Sequence, residues 1–322
     1  MSRQSIQSLK DKEGVDSLFL VKEKTVAMGK NSRPFMCLQL GDATGKIDAR
    51  LWDRVDELTR EFEVGDLLKV KGVVQLFQNR LQLIIHRIER VPAEGVEMTE
   101  FIPQASRNID DMFIELLKIV RSMKNDGLRQ LVLDTLEDTE IQPLFKRAPA
   151  AKSIHHAWIG GLLEHILSIC RILDFVASHY PHLNRDLLIF GGIFHDIGKV
   201  WELTYENGFS YSDRGRLLGH MQIACELIDK KSSRIMGFSD ELKDICKHII
   251  LSHHGKLEYG SPKRPKFAEA MVVAMIDEFD SKVSTLKTLF EGERQSGERW
   301  SRYSELFDRY FLLDDMNEKL NG

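Results

Sequence analysis

The sequence predicts a multidomain chain in which a small all-β barrel precedes an all-α domain. Three observations carry that prediction. Residues 1–91 hold five β-rich runs separated by turn signals. From about residue 109 onward, the apolar spacing is helical. Of 11 histidines, only His86 lies outside residues 155–254, a concentration that random placement would not produce. The length of 322 residues suits roughly two domains. A composition of 43% hydrophobic and 29% charged residues excludes a disordered or fibrous chain. No run reaches the roughly 18 consecutive apolar residues of a membrane span, and the start MSRQSIQSLKDKEGVD lacks an apolar signal core. Four scattered cysteines without a CxxC pair read as reduced core thiols, and the expected location is cytoplasmic. A net charge of −4 leaves any nucleic-acid binding to local patches.

The predicted strands are SLFLVKEK, PFMCLQL, KIDARLW, LLKVKGVVQLF and RLQLIIHRIERV, with turns at NSRP, GDATG, VGD and QNR. Between the third and fourth lies DRVDELTREFEVGD, a short helical pattern with Val55, Leu58 and Phe62 on one side. Five strands with a helix at that point is the order of an OB-type barrel. In KIDARLW the buried phase takes Ile47, Ala49 and Leu51 and leaves Lys46, Arg50 and Trp52 outside. In LLKVKGVVQLF the same alternation leaves Lys69, Lys71, Gln75 and Phe77 outside. Cations interleaved with aromatics suit single-stranded nucleic acid, phosphates meeting cations and bases stacking on rings. The nominated contacts are Arg50, Trp52, Lys69, Lys71 and Phe77. The competing reading has Trp52 capping the barrel end and the lysines merely solvated, since such barrels also serve as protein-contact modules.

Residues 92–108 read as a linker and 109–290 as the helical domain. Asn108 or Asp110 is placed to cap DDMFIELLKIVRSM, whose Met112, Ile114, Leu116, Leu117 and Val120 suit a 3.6 period. LRQLVLDTLED follows, and further helices are expected near 155–180, 184–197, 216–232, 239–253 and 266–289. Residues 291–322, charged with scattered aromatics, read as a C-terminal helix or tail without assigned chemistry.

Four segments gather the histidines of interest: GGLLEHILSIC, IFHDIGK, LLGHMQIA and LSHHG, with MIDEFD further on. Histidine and aspartate at the ends of buried helices are ligand types for metals that activate water. His165, flanked by Leu162, Leu163, Ile166 and Ile169, taken alone reads first as a satisfied core residue. His195 and Asp196 end the apolar run LLIFGGIFHD. A carboxylate buried there without a cation or donors costs several kcal/mol, on the order of a buried unpaired charge. That favours a metal.

The order H…HD…D, here His165, His195–Asp196 and Asp277, resembles the HD phosphohydrolase superfamily, and His220 and His253 match its two-metal members. With the barrel and the motifs PAAKSIHHAWIGGLLEH, HDIGKVWEL, LLGH, SHHGKLEYGSPKRP and MIDEFDSKV, the chain resembles the YhaM-type 3′→5′ exoribonucleases from about Phe19 to Val283. The resemblance implies one ion held by His165, His195, Asp196 and Asp277. It implies a second held by His220 and His253, with Asp196 between the two. His254 is a further candidate, for the ligand set or for orienting substrate. Asp280 is expected to make supporting contacts, and His155 and His156 to face substrate or serve structure. Ala274 and Met275 stand where an aromatic or histidine is common in the family, which bears on packing behind Asp277.

The implied activity is metal-dependent 3′→5′ hydrolysis of single-stranded RNA to nucleoside 5′-monophosphates by a metal-activated hydroxide, with single-stranded DNA as a second substrate left open. Manganese is the implied ion, and iron, cobalt, nickel or zinc fit the same donors. Asp196 and Lys199 are the catalytic candidates. Lys199, one turn past Asp196, is placed to hold a phosphate oxygen or to offset a helix dipole. Lys256 and Arg216 are further substrate-binding candidates, no membrane partner is expected, and a homo-oligomer is left open. The alternative is a phosphodiesterase or nucleotidase for a small nucleotide, with the barrel regulatory.

Overall fold

The computed structural model describes residues 4–29, 33–78, 80–92, 94–102, 104–105, 107–151, 158–204, 210–293 and 298–314. Strands β1 (Gly14–Met28), β2 (Pro34–Asp42), β3 (Gly45–Leu51), β4 (Leu67–Phe77) and β5 (Arg80–Val91) close into a barrel with neighbour order β1-β2-β3-β5-β4. The β3–β5 pairing is parallel, with Ala49 opposite Leu83, and the others are antiparallel. Period-two alternation sends Ile47, Ala49, Leu51, Val70 and Val74 inward. Helix α1 (Val55–Leu58) joins β3 to β4, and Val55, Leu58 and Phe62 close the barrel's core as the spacing predicts. Cys170, Cys225 and Cys246 are buried free thiols. Cys37 instead lies half-buried on β2, on the outward phase beside Arg50 of β3.

The segment after β5 is packed on both sides. Phe101 and Ile102 are buried with Leu20 and Leu67 of the barrel, and Ile159 of the helical part joins them. The Ala43 N–H donates to the Glu100 carbonyl (2.9 Å), and the Ala105 N–H donates to that of Ile159 (2.9 Å). Burying two such side chains contributes about 1.5–3 kcal/mol each, so this segment acts as a wedge between barrel and helices.

The helical part contains α2 (Ile109–Arg121), α3 (Asp126–Leu136), α4 (Ile141–Arg147), α5 (Gly161–His179), α6 (Arg185–Phe194), α7 (Lys199–Glu202), α8 (Asp213–Ser232), α9 (Asp240–Ser252) and α10 (Ala268–Glu293). A two-stranded ribbon, β6 (Leu203–Thr204) with β7 (Ser210–Tyr211), separates α7 from α8. Asn108 caps α2 by accepting the N–H groups of Asp110 and Asp111. The buried stripe of α2 is Met112, Phe113, Leu116, Leu117 and Val120, whereas Ile114, expected inside, is 52% exposed because the helical turn carries it past the edge of that stripe. Helix α6 runs through the middle of the core. A Cβ at Gly191 would lie 2.7 Å from Val273 of α10, and one at Gly192 would lie 2.8 Å from Leu173 of α5. Those two glycines let α6 approach both neighbours, and that approach carries the His195–Asp196 pair into the interior.

Residues 298–314 form no helix. They fold back on themselves, with Trp300 bridging Leu312 and Ser304 bridging Arg309. The aromatic spacing there suits a helix, but backbone pairing prevails: the Ser301 N–H donates to the Phe311 carbonyl at 2.8 Å. Phe311 also packs on Phe290 near the end of α10, with ring centroids 5.9 Å apart.

Candidate metal centre and nucleic-acid face

Four helices deliver the centre. His165 comes from the buried face of α5, His195 and Asp196 from the C-terminal end of α6, Asp277 from α10, and His253 and His254 from the end of α9. His220 arrives differently. Helix α8 breaks at Gly219 (φ 73°, ψ 158°), so His220 begins its second segment. A Cβ at Gly198 would sit 2.0 Å from the His220 carbonyl oxygen, so only glycine in HDIGK lets this segment close on the centre.

The imidazoles are oriented by their Nδ1 atoms. That of His165 meets Asp280 Oδ2 at 2.9 Å, and Ser168 holds the other oxygen of Asp280. That of His195 faces the Gly191 and Gly192 carbonyls at 3.2 and 3.1 Å. Glu202 Oε1 takes both the Nδ1 (3.1 Å) and the backbone N–H (3.0 Å) of His220. His253 Nδ1 donates to the Ile250 carbonyl at 2.7 Å, and His254 Nδ1 donates to that of Tyr259 at 2.8 Å. Every Nε2 is thereby left for the interior, the arrangement seen behind metal-binding histidines.

Two groups result. His165, His195 and Asp277 place donor atoms within 4.8 Å of one another, and so do His220, His253 and His254. Asp196 stands between them. Its Oδ2 is 3.6 Å from His165 Nε2 and 3.5 Å from His195 Nε2, and its Oδ1 is 3.5 Å from His220 Nε2 and 3.8 Å from His253 Nε2. Asp196 Oδ1, His220 Nε2 and His253 Nε2 are buried without a hydrogen-bond partner. Each such atom costs about 1–3 kcal/mol, and three of them converging is the signature of a cation site, since one ion satisfies all three. The donor set of imidazole nitrogen and carboxylate oxygen fits a divalent transition metal.

Charge in the pocket runs the same way except at His195, where burial lowers the imidazole's pKa and Asp196 and Asp277 more than offset that. Burial opposes ionisation of Asp196, but the charges of Lys199 and His195 hold its carboxyl well below the usual range. Burial likewise opposes ionisation of Asp277, and His195 and His165 overcome it. Burial and the nearby charge of His195 push His253 well below the ordinary histidine value, and burial with His220 lowers His254. The acids are anionic and these two imidazoles neutral, the protonation states that ligation requires. Lys199 Nζ lies 2.6 Å from Asp196 Oδ2; burial disfavours its charge, and Asp196 more than restores it.

A cleft of about 230 Å³, lined by His253, His254, Tyr259, Ala274, Asp277 and Glu278, opens onto the centre. Lys256 reaches over the Tyr259 ring at 5.1 Å. Arg216 is exposed on the first segment of α8 and does not line the cleft. His155 and His156 lie outside the described residues. Glu202 and Tyr259 were not legible in the sequence as site residues. Glu202 stands 18 positions before the histidine it holds, and the contact depends on the Gly198 approach.

The barrel residues nominated for nucleic acid fall on two walls. Trp52 is 53% exposed after β3 and stacks on Phe35 with ring centroids 4.6 Å apart. Arg50 and Lys46 share that outward phase of β3. Lys69 and Lys71 stand on β4, which the closed order places between β5 and β1, away from β3. Lys71 is paired with Asp16 at 2.9 Å, and its hydrogen bond lowers the Asp16 pKa. Lys69 faces Glu89 across the β4–β5 ladder, and Phe77 is exposed at the end of β4. Among the described residues, no helix is long and apolar enough to cross a membrane.

Known proteins show the same two parts. A family model described as an HD domain matches residues 162–282, and one described as an OB-fold nucleic acid binding domain matches residues 20–91. The chain is 33% identical over 307 residues to the 3′-5′ exoribonuclease YhaM of Halalkalibacterium halodurans, covering 95% of both chains. It is 34% identical over 304 residues to the YhaM of Listeria monocytogenes, covering 94% of both. It is 35% identical over 301 residues to that of a Geobacillus strain, covering 93% of this chain and 91% of the relative. With identity of this order running through barrel and helices alike, the chain belongs to the YhaM family, an OB-fold domain joined to an HD domain.

Proposed function

We propose that the chain is a metal-dependent 3′→5′ exoribonuclease that releases nucleoside 5′-monophosphates from single-stranded RNA, with single-stranded DNA as a second substrate, and that it acts in the cytoplasm. The observation that carries this reading is the Asp196 carboxylate, with one oxygen turned towards His165 and His195 and the other towards His220 and His253. His165, His195, Asp196 and Asp277 would hold one ion, and His220, His253 and His254 the second, with Asp196 shared. Manganese is the proposed metal. Two divalent cations supply charge neutralisation at a scissile phosphate and lower the pKa of the attacking water.

The chain's own residues do the rest. Asp280 and Glu202 fix the His165 and His220 rings in orientation. Lys199, kept charged by Asp196, offers its ammonium to a non-bridging phosphate oxygen of the entering strand. The cleft takes one chain end, with Tyr259, which lines it, beneath the terminal base and Lys256, over the Tyr259 ring, beside the next phosphate. Arg216 meets the strand further out. Trp52 and Arg50 grip upstream nucleotides, which raises the effective concentration of the 3′ end.

The test is degradation of 5′-labelled single-stranded RNA in manganese. The expected result is a ladder shortening from the 3′ end, abolished in Asp196→Asn while strand binding persists. Hydrolysis of small nucleotides or cyclic dinucleotides with oligomers left intact would overturn the reading in favour of a small-nucleotide phosphodiesterase.

A further inference from the structure

Helix α7 has a second side. Lys199 and Glu202 reach Asp196 and His220, while Trp201 between them lines a groove of about 580 Å³ bounded by the α3–α4 turn and α8. Its walls are tied together: the buried Lys231 of α8 donates to the Asp134 carbonyl at 2.8 Å and to the Asp138 carboxylate. The groove is graded along α8. Ile223 and Leu227, both buried, line it on α8, Lys230 lines it one turn further on, and Arg234 lines it just past the helix end. Arg214 is neutralised by Glu226 at 2.6 Å, whereas Lys230 and Arg234 are exposed and have no acidic partner among the described residues. Glu140 stands on the opposite rim.

Cations near a helix end commonly offset its dipole. Here two of them also edge a preformed groove lined by Trp201, Ile223 and Leu227 as well, with Glu140 on the facing wall. That sequence of surfaces matches one ligand chemistry: a flat ring for Trp201, hydroxyls for Glu140 and a phosphate for Lys230 and Arg234. We propose that the groove is a binding site for a free nucleoside 5′-monophosphate, on the side of α7 away from the metal centre. The exonuclease reading supplies the source of that ligand, its product; the binding itself rests on the groove.

The experiment is calorimetric titration of the full chain, stripped of metal with EDTA, using AMP as the probe. The expected result is one site per chain, weakened at least tenfold in Lys230→Gln/Arg234→Gln and unchanged in Asp196→Asn. Inorganic phosphate alone should bind at least tenfold more weakly than AMP, because it leaves the Trp201 end unfilled. Both substituted side chains are exposed, so folding is not at issue. Absence of AMP binding, equal AMP affinity in the double variant, or loss of AMP binding in Asp196→Asn would each overturn the proposal. AMP binding at the groove in a chain that leaves RNA intact would overturn the exonuclease reading and leave this site standing.

Discussion

At the scale of single residues, the centre depends on groups that touch no substrate. Asp280 and Glu202 hold His165 and His220 by their Nδ1 atoms. Replacing such a partner typically costs 10–100-fold in metal affinity. Asp280→Asn and Glu202→Gln should each weaken manganese binding by about that factor in calorimetry, with unfolding transitions little changed; unaltered affinity would show that the rings hold their places without help. A second pair is structural. Lys231 pulls the Asp138 carboxyl down to about 2, assisted by the backbone N–H groups of Glu140 and Ile141, from an ordinary 3.8. A lowered carboxyl pKa stabilises the fold above the unfolded value and loses that contribution as pH falls through the folded one. Asp138→Asn should therefore be less stable by about 1–3 kcal/mol near neutrality, with the gap to wild type closing between about pH 4 and pH 2. A gap independent of pH, measured by urea unfolding, would contradict this assignment. The histidines of the centre were legible because their concentration is unusual, and Asp196 and Asp277 because the order H…HD…D resembles a known family. Glu202 was not, since nothing in KVWELT marks one carboxylate as the holder of a ring 18 residues later.

At the scale of elements, close approach decides where the ligands meet. Gly198→Ala would place a methyl 2.0 Å from the His220 carbonyl. Overpacking of this kind costs about 1–3 kcal/mol, and relief is available only by moving the second segment of α8, so metal binding at the His220 group should fall along with thermal stability. Retention of full metal stoichiometry would show that the segment adapts. On the barrel, strand neighbours matter more than strand composition. Alternation correctly sends Trp52, Lys69 and Lys71 outward, but spacing alone does not say that β4 pairs with β1 and β5 while β3 pairs with β2 and β5. Trp52→Ala should weaken long-strand binding by about 1–3 kcal/mol, one stacked base, and Arg50→Ala should flatten the salt dependence by about 0.7 in log–log slope. Lys71→Ala, which removes an exposed ion pair with Asp16, should change binding little. A larger loss from Lys71→Ala than from Trp52→Ala, measured by fluorescence anisotropy, would move the strand to the β4 wall. The C-terminal segment gives the converse lesson: aromatic spacing at 300, 303, 307 and 311 reads as helical, and the backbone pairs across a turn instead.

At the scale of the whole molecule, the wedge of Phe101 and Ile102 packs against both barrel and helices. Composition alone marks residues 92–108 as connecting chain, because two buried apolar residues among polar ones carry no period to read. Six elements converge on the centre, and among the described residues Asp196 is the group that stands between its two halves. Electron paramagnetic resonance of the full chain loaded with manganese tests that arrangement most directly. The account predicts two ions per chain with an exchange-coupled spectrum, and loss of the coupling in Asp196→Asn. A single uncoupled ion, or a coupled pair that survives the removal of the Asp196 carboxylate, would contradict it.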